Sequence, residues 1–182
     1  MTQSDRSYRY PLVLRLLHWL RAALILGLLA LGVTMTSLPD AAPAKFATLY
    51  PLHKQFGVLV LLVVLVQLGL RARTALPAPP AGLKPWERHL SHAVHRAMLV
   101  LAVVVPLMGY AMSASYAQSD GVPFFGVMLP ELLPKNDHAF EVFQLLHKVL
   151  AFTLAGLVAL HVAGVVKHRL FDKANDVLPR ML

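Results

Sequence analysis

Four apolar stretches dominate the chain, roughly Leu12 to Leu38, Leu52 to Leu70, His92 to Tyr116 and Phe143 to Val166. Each holds an uninterrupted apolar core of about 15 to 20 residues, enough to cross a hydrocarbon layer as a helix. In lipid every backbone N–H and C=O must be satisfied within the segment, and a barrel would instead show alternating strands of about ten residues. Composition agrees, since 57% of the 182 residues are hydrophobic and only 14% are charged, against about a quarter charged in soluble domains. Mean hydropathy is +0.61. The expected fold is an all-α membrane protein, a bundle of four transmembrane helices over roughly 12–38, 52–70, 88–116 and 141–170. It is read as a single domain over 1–182, with no soluble domain before or after it.

Ala42-Pro43-Ala44 loosely resembles a signal-peptide cleavage site. The first apolar stretch is nevertheless read as a helix, because it exceeds the roughly 7 to 15 residues of a signal h-region. The chain has no cysteine, which excludes disulfides, thiolate-held iron–sulfur clusters, covalently attached c-type haem and thiol chemistry. A net charge of +8 would suit a nucleic-acid partner, but its distribution is that of a membrane topology. Arg6, Arg9, Arg15 and Arg21, then Arg71, Arg73, Lys84, Arg88 and Arg96, then Lys167, Arg169, Lys173 and Arg180 make up thirteen of the 17 basic residues, all on one side of a four-helix arrangement. The other side sets Lys45, Lys54, Lys135 and Lys148 against Asp40, Asp120, Glu131, Asp137 and Glu141. The positive-inside rule then predicts a multi-pass membrane protein with both termini cytoplasmic. Membrane lipid is an expected partner and nucleic acid is not.

The connection from Thr74 to Pro85 contains Pro77, Pro79, Pro80 and Pro85 and should be a stiff, non-helical strap. The opposite connection, roughly Ala117 to Ala139, has an apolar middle, Gly121 to Pro130, too broken to span. It is expected to lie along the outer interface and cap the bundle. Pro106 is expected to kink the third helix.

Ionisable residues inside a membrane are costly and are functional candidates by default. His147 and His161 lie 14 residues apart, a rise of roughly 21 Å and within about 40° of a whole number of turns, so both imidazoles point the same way at two depths. The topology supplies partners at each depth. His53 matches His147 near the outer face, and His18 matches His161 near the inner face, with His92 or His95 as competitors. Two imidazoles on opposite sides of a macrocycle suffice for haem iron, whereas zinc needs three or four converging ligands. The four-helix bundle is thus expected to enclose two b-type haems. Gly57 and Gly164 lie on the histidine faces and would allow a macrocycle close to the backbone. His92 and His95 are otherwise assigned hydrogen bonds to haem propionates or quinone, and His89 and His138 are read as solvated loop residues.

The chain resembles the bacterial cytochrome b561 family. The residues that carry the resemblance are Leu17-His18-Trp19-Leu20, Leu52-His53-Lys54 with Gly57, His92 and His95 leading to Pro106, Leu146-His147-Lys148, and Leu160-His161-Val162 with His168. The resemblance implies a place in the bacterial inner membrane, with His18, His53, His147 and His161 as axial ligands of two haem b. It also implies superoxide oxidation at the periplasmic face, with electrons passed through the haems to ubiquinone on the cytoplasmic side. Other members of the family look like non-catalytic electron-transfer subunits or membrane anchors, fed by a periplasmic electron donor. Lys54 and Lys148 directly follow the two outer ligands, so they could steer superoxide toward the outer haem or act as ordinary interfacial anchors. For the quinone, His168 is the leading candidate, seven residues after His161 and on nearly the same face, with Arg15 and Lys167 as neighbours. A metal transporter using the same histidines would bind no haem.

Overall fold

The computed structural model describes residues 9–80, 82–119 and 121–182; Arg6 and Asp120, which entered the charge reading, lie outside them. Four long helices carry the fold. These are α1 (Leu12–Ser37), α2 (Tyr50–Ala72), α3 (Pro85–Ser115) and α4 (Asp137–Phe171), each long and apolar enough to cross a membrane. α1, of 26 residues, rises about 39 Å at 1.5 Å per residue.

Local chemistry moves several boundaries outward from the hydropathy limits. α2 is preceded without a break by a π-helical turn, Lys45–Leu49, anchored by Lys45, whose ammonium bonds Leu38 O and Asp40. α3 starts at Pro85, whose fixed φ suits a first helical position. The Glu87 carboxylate accepts the Lys84 backbone N–H at 3.0 Å. α4 starts at Asp137 because Asn136 Oδ1 accepts the Ala139 N–H at 2.8 Å, a side-chain N-cap. His89 and His138 therefore sit in the opening turns of helices, exposed, rather than in loops. These polar first turns carry no hydropathy signal, which is why the expected limits fell short.

Between the helices the packing is tight and small-residued, with Val60, Val64, Ala102, Ala111 and Ala114 buried. Small side chains let helix backbones approach closely, as association within lipid requires. Leu16, Leu65, Val100, Phe152 and Leu170 are exposed, as side chains facing lipid rather than water. α3 stays helical through Pro106. The connection over 74–84 is irregular, as its prolines require.

The opposite connection is more ordered than its sequence indicates. β1 (Val122–Phe124) pairs antiparallel with β2 (Val127–Leu129), in the register Val122 to Leu129 and Phe124 to Val127. Phe125 and Gly126 turn the chain with φ of 44° and 92°, the two positive values of a type I′ hairpin turn. Lys54 Nζ donates to Gly121 O at 3.1 Å, and Gln55 Oε1 accepts the Phe125 N–H at 3.1 Å. These two bonds hold the hairpin to the first turns of α2. At the other end of the bundle the C-terminal segment forms short 3-10 turns, Lys173–Asn175 and Leu178–Arg180. It folds back on the helices, with the Tyr10 N–H bonding Arg180 O, the Trp19 indole bonding Met181 O, and Arg180 donating to Ala78 O. The bundle thus has a hairpin end and a termini end.

Candidate functional site

At the hairpin end, α2 presents His53 and α4 presents His147. Their ring centroids are 6.0 Å apart, with planes at 81°. Two imidazole nitrogens each about 2 Å from one metal would leave ring centroids about 6 Å apart, so the pair has a spacing that could hold one metal between the rings. His147 Nδ1 lies 2.9 Å from Val105 O. A carbonyl only accepts, so Nδ1 carries the proton and Nε2 keeps its lone pair, the usual arrangement behind a metal-bound imidazole. The ring lies against α3 at Gly109, where a Cβ would meet its Cε1 and Nδ1 at 3.0 Å. His53 packs on α1 in the same way, with a Cβ at Gly32 coming to 3.4 Å of its Cε1. His53 Nδ1 is buried without a hydrogen bond. Such orphaned polar atoms are rare and call for a reason.

At the termini end three histidines gather. His18 on α1 and His161 on α4 have ring centroids 6.4 Å apart at 65°, again close to that spacing. His95 on α3 is nearer, 5.0 Å from the His161 ring. Its Nδ1 sits 2.7 Å from Ser91 O, so by the same argument the proton is on Nδ1. His18 thus has the better spacing for a metal opposite His161, and His95 the closer contact. His92 is exposed on α3, three residues before His95 and outside these ring contacts. A Cβ at Gly57 or Gly164 would meet nothing within 4 Å; the glycines that touch histidines are Gly32 and Gly109.

Around these two levels the charged residues divide. Lys54 is half-buried and holds the hairpin through Gly121 O, while Lys148 is exposed on α4. His168 Nδ1 lies 3.0 Å from Asp172 Oδ2, and an ionised carboxylate accepts, so Nε2 is the nitrogen left to exchange a proton. The Asn175 amide first, and His168 next, hold the Asp172 carboxyl below its usual range against the opposing effect of burial. Lys167 pairs with the buried Glu87 and lies over the Trp86 ring at 5.3 Å. Arg15 Nε and Arg21 Nη1 are buried without hydrogen-bond partners.

The sequence reading missed Gly32, Gly109, Val105 O, Ser91, Asp172 and any role for Arg21 beyond topology. Arg21 had a usable signal, being a charge inside a span, one turn after His18. The glycines had none, because a single sequence does not say how one helix is offset along the next.

Comparison with known proteins covers almost the whole chain. The family described as prokaryotic cytochrome b561 matches residues 9–182. Cytochrome b561 homolog 2 of Escherichia coli (strain K12) is 28% identical over 185 residues, spanning 100% of this chain and 95% of the relative. The probable superoxide oxidase CybB of Yersinia pestis is 23% identical over 168 residues, covering 91% of each.

Proposed function

The chain belongs to the prokaryotic cytochrome b561 family, and from that premise we propose that it is a di-haem b superoxide:ubiquinone oxidoreductase. Membership brings haem b binding and transmembrane electron transfer in a multi-pass inner-membrane protein. The observation that carries the proposal further is the histidine pairing at two levels, 6.0 Å for His53 and His147 and 6.4 Å for His18 and His161. Haem b bound at each level supplies reversible one-electron chemistry. Everything else falls to the protein. Val105 O fixes the His147 tautomer, Gly109 and Gly32 admit the rings, and the apolar helices exclude water between the levels.

In this reading the termini end faces the cytoplasm, because the basic residues collect there. Superoxide meets the hairpin end, where Lys148, and Lys54 beneath Gly121, add positive potential on an otherwise slightly acidic face and draw a small anion inward. Giving up one electron turns superoxide into oxygen without any proton. At the other end ubiquinone takes two electrons and two protons to become ubiquinol. His168, oriented by Asp172, exchanges the proton through Nε2, with Arg15 and Lys167 as the cationic neighbours of the quinone. The name of the Yersinia pestis relative supports the superoxide half of the reading.

Stopped-flow mixing of the oxidised purified protein with superoxide tests it. Haem reduction with a rate constant near the diffusional ceiling of about 10⁸ M⁻¹s⁻¹ is expected. Slow reduction by superoxide, alongside fast reduction by a periplasmic redox protein, would instead identify an electron-transfer subunit or membrane anchor.

A further inference from the structure

The termini end carries a charge imbalance that the histidines do not explain. Arg21 follows His18 by three residues on α1, which puts both on one helix face, and its charge acts on His18, His95 and His161. Arg71, on α2, acts on both Arg21 and His95. Arg21 is half-buried and Arg71 exposed, so two cations share the termini end of the bundle, one of them at its surface. Among the described residues neither has an ion pair, and Arg21 Nη1 is buried with no acceptor.

Among the described residues, the acids at this end are engaged elsewhere. Glu87 pairs with Lys167, Asp172 with His168 and Asn175, and Asp176 with Arg169 at 2.7 Å. A buried guanidinium nitrogen without an acceptor is unfavourable, and a bound anion would complete it. Arginine's planar fork matches the two oxygens of a carboxylate. At the hairpin end there is no counterpart, since no arginine is found among the described residues of α1 beyond Arg21, or of α2 before Arg71.

We propose that the half-buried Arg21, with the exposed Arg71 beside it, forms a carboxylate site for a propionate of the haem seated by His18 and His161. The inference rests on the di-haem reading and assigns residues to one side of it. Pairing the propionate with these cations neutralises the charge that would otherwise oppose reduction of the iron. The haem at the termini end is then the easier of the two to reduce, and electrons arriving from the hairpin end are drawn toward the quinone.

Spectropotentiometry of the purified protein, comparing wild type with R21Q, R71Q and R21K, tests the assignment. R21Q should lower the reduced-to-oxidised ratio of the inner haem at least tenfold at fixed potential, equivalent to about 59 mV for one electron, while the outer haem is unchanged. R71Q should shift the same haem in the same direction, and R21K should restore most of the wild-type ratio, which separates charge from fold. Reconstitution of apoprotein with haem b dimethyl ester adds a binding readout. Esterification should weaken the inner site at least tenfold in wild type and little in R21Q. Unchanged inner-haem potentials in R21Q and R71Q would overturn the arginine assignment while leaving two haems per chain intact. A wild-type inner potential that depends on added phosphatidylglycerol would transfer the anion to a lipid phosphate and overturn the propionate. A wild-type chain lacking one haem altogether would sink the di-haem reading itself.

Discussion

Gly109 and Gly32 each face a histidine of the hairpin-end pair, yet a methyl group should be tolerated at only one of them. At Gly109 the added Cβ meets the His147 ring at 3.0 Å, and the ring cannot swing away without losing its bond to Val105 O. Overpacking of this kind costs about 1–3 kcal/mol. Gly109→Ala is therefore expected to lower the thermal midpoint and disturb the visible spectrum of one haem. At Gly32 the distance of 3.4 Å is ordinary contact, and Gly32→Ala should leave both unchanged. Equal effects of the two substitutions would contradict the packing described. The histidines themselves were legible in the sequence, because helical spacing and depth are properties of one chain read against a membrane of known thickness. Val105 O and the two glycines were not, since each acts across a helix interface.

Among the elements, the two that hydropathy did not reveal are the hairpin and the C-terminal turns. The hairpin escaped because its turn is Phe125-Gly126 in place of the favoured Asn-Gly or Asp-Gly pair. Its strands are also only three residues long. Gly126 adopts φ of 92°, where an L side chain is strained by about 1–3 kcal/mol. Gly126→Val should loosen the hairpin and speed amide exchange at Phe125, whose N–H bonds Gln55, while exchange in the four helices stays the same.

The C-terminal turns depend on carboxylates. Asn175 and then His168 depress Asp172, and the hydrogen bond from Arg169 depresses Asp176. A carboxyl whose folded pKa is lowered contributes stability that is present above its unfolded pKa, about 3.9, and fades as pH falls through the folded value. Limited proteolysis of the segment 172–182 should thus be equally slow from pH 5 to pH 8 and accelerate below about pH 4. Acceleration already at pH 6 would contradict the dependence on these carboxylates.

For the whole molecule, the four spans and the segregation of basic residues were readable because they follow from the bilayer rather than from tertiary detail. The absence of cysteine makes the orientation easy to test with single introduced cysteines. A cysteine at Glu141, near the hairpin end, should react with a membrane-impermeant maleimide in intact cells, and one at Arg169 should react only after lysis. The reverse pattern would invert the direction proposed for electron flow. The pairing of histidines at two levels makes the most exposed claim, that each level seats one haem. Haem quantification on the purified chain, with the dithionite-reduced visible spectrum, measures it directly. Two b haems per chain, falling to one in His147→Ala and to one in His161→Ala, is the predicted result, and a single haem per wild-type chain would contradict it.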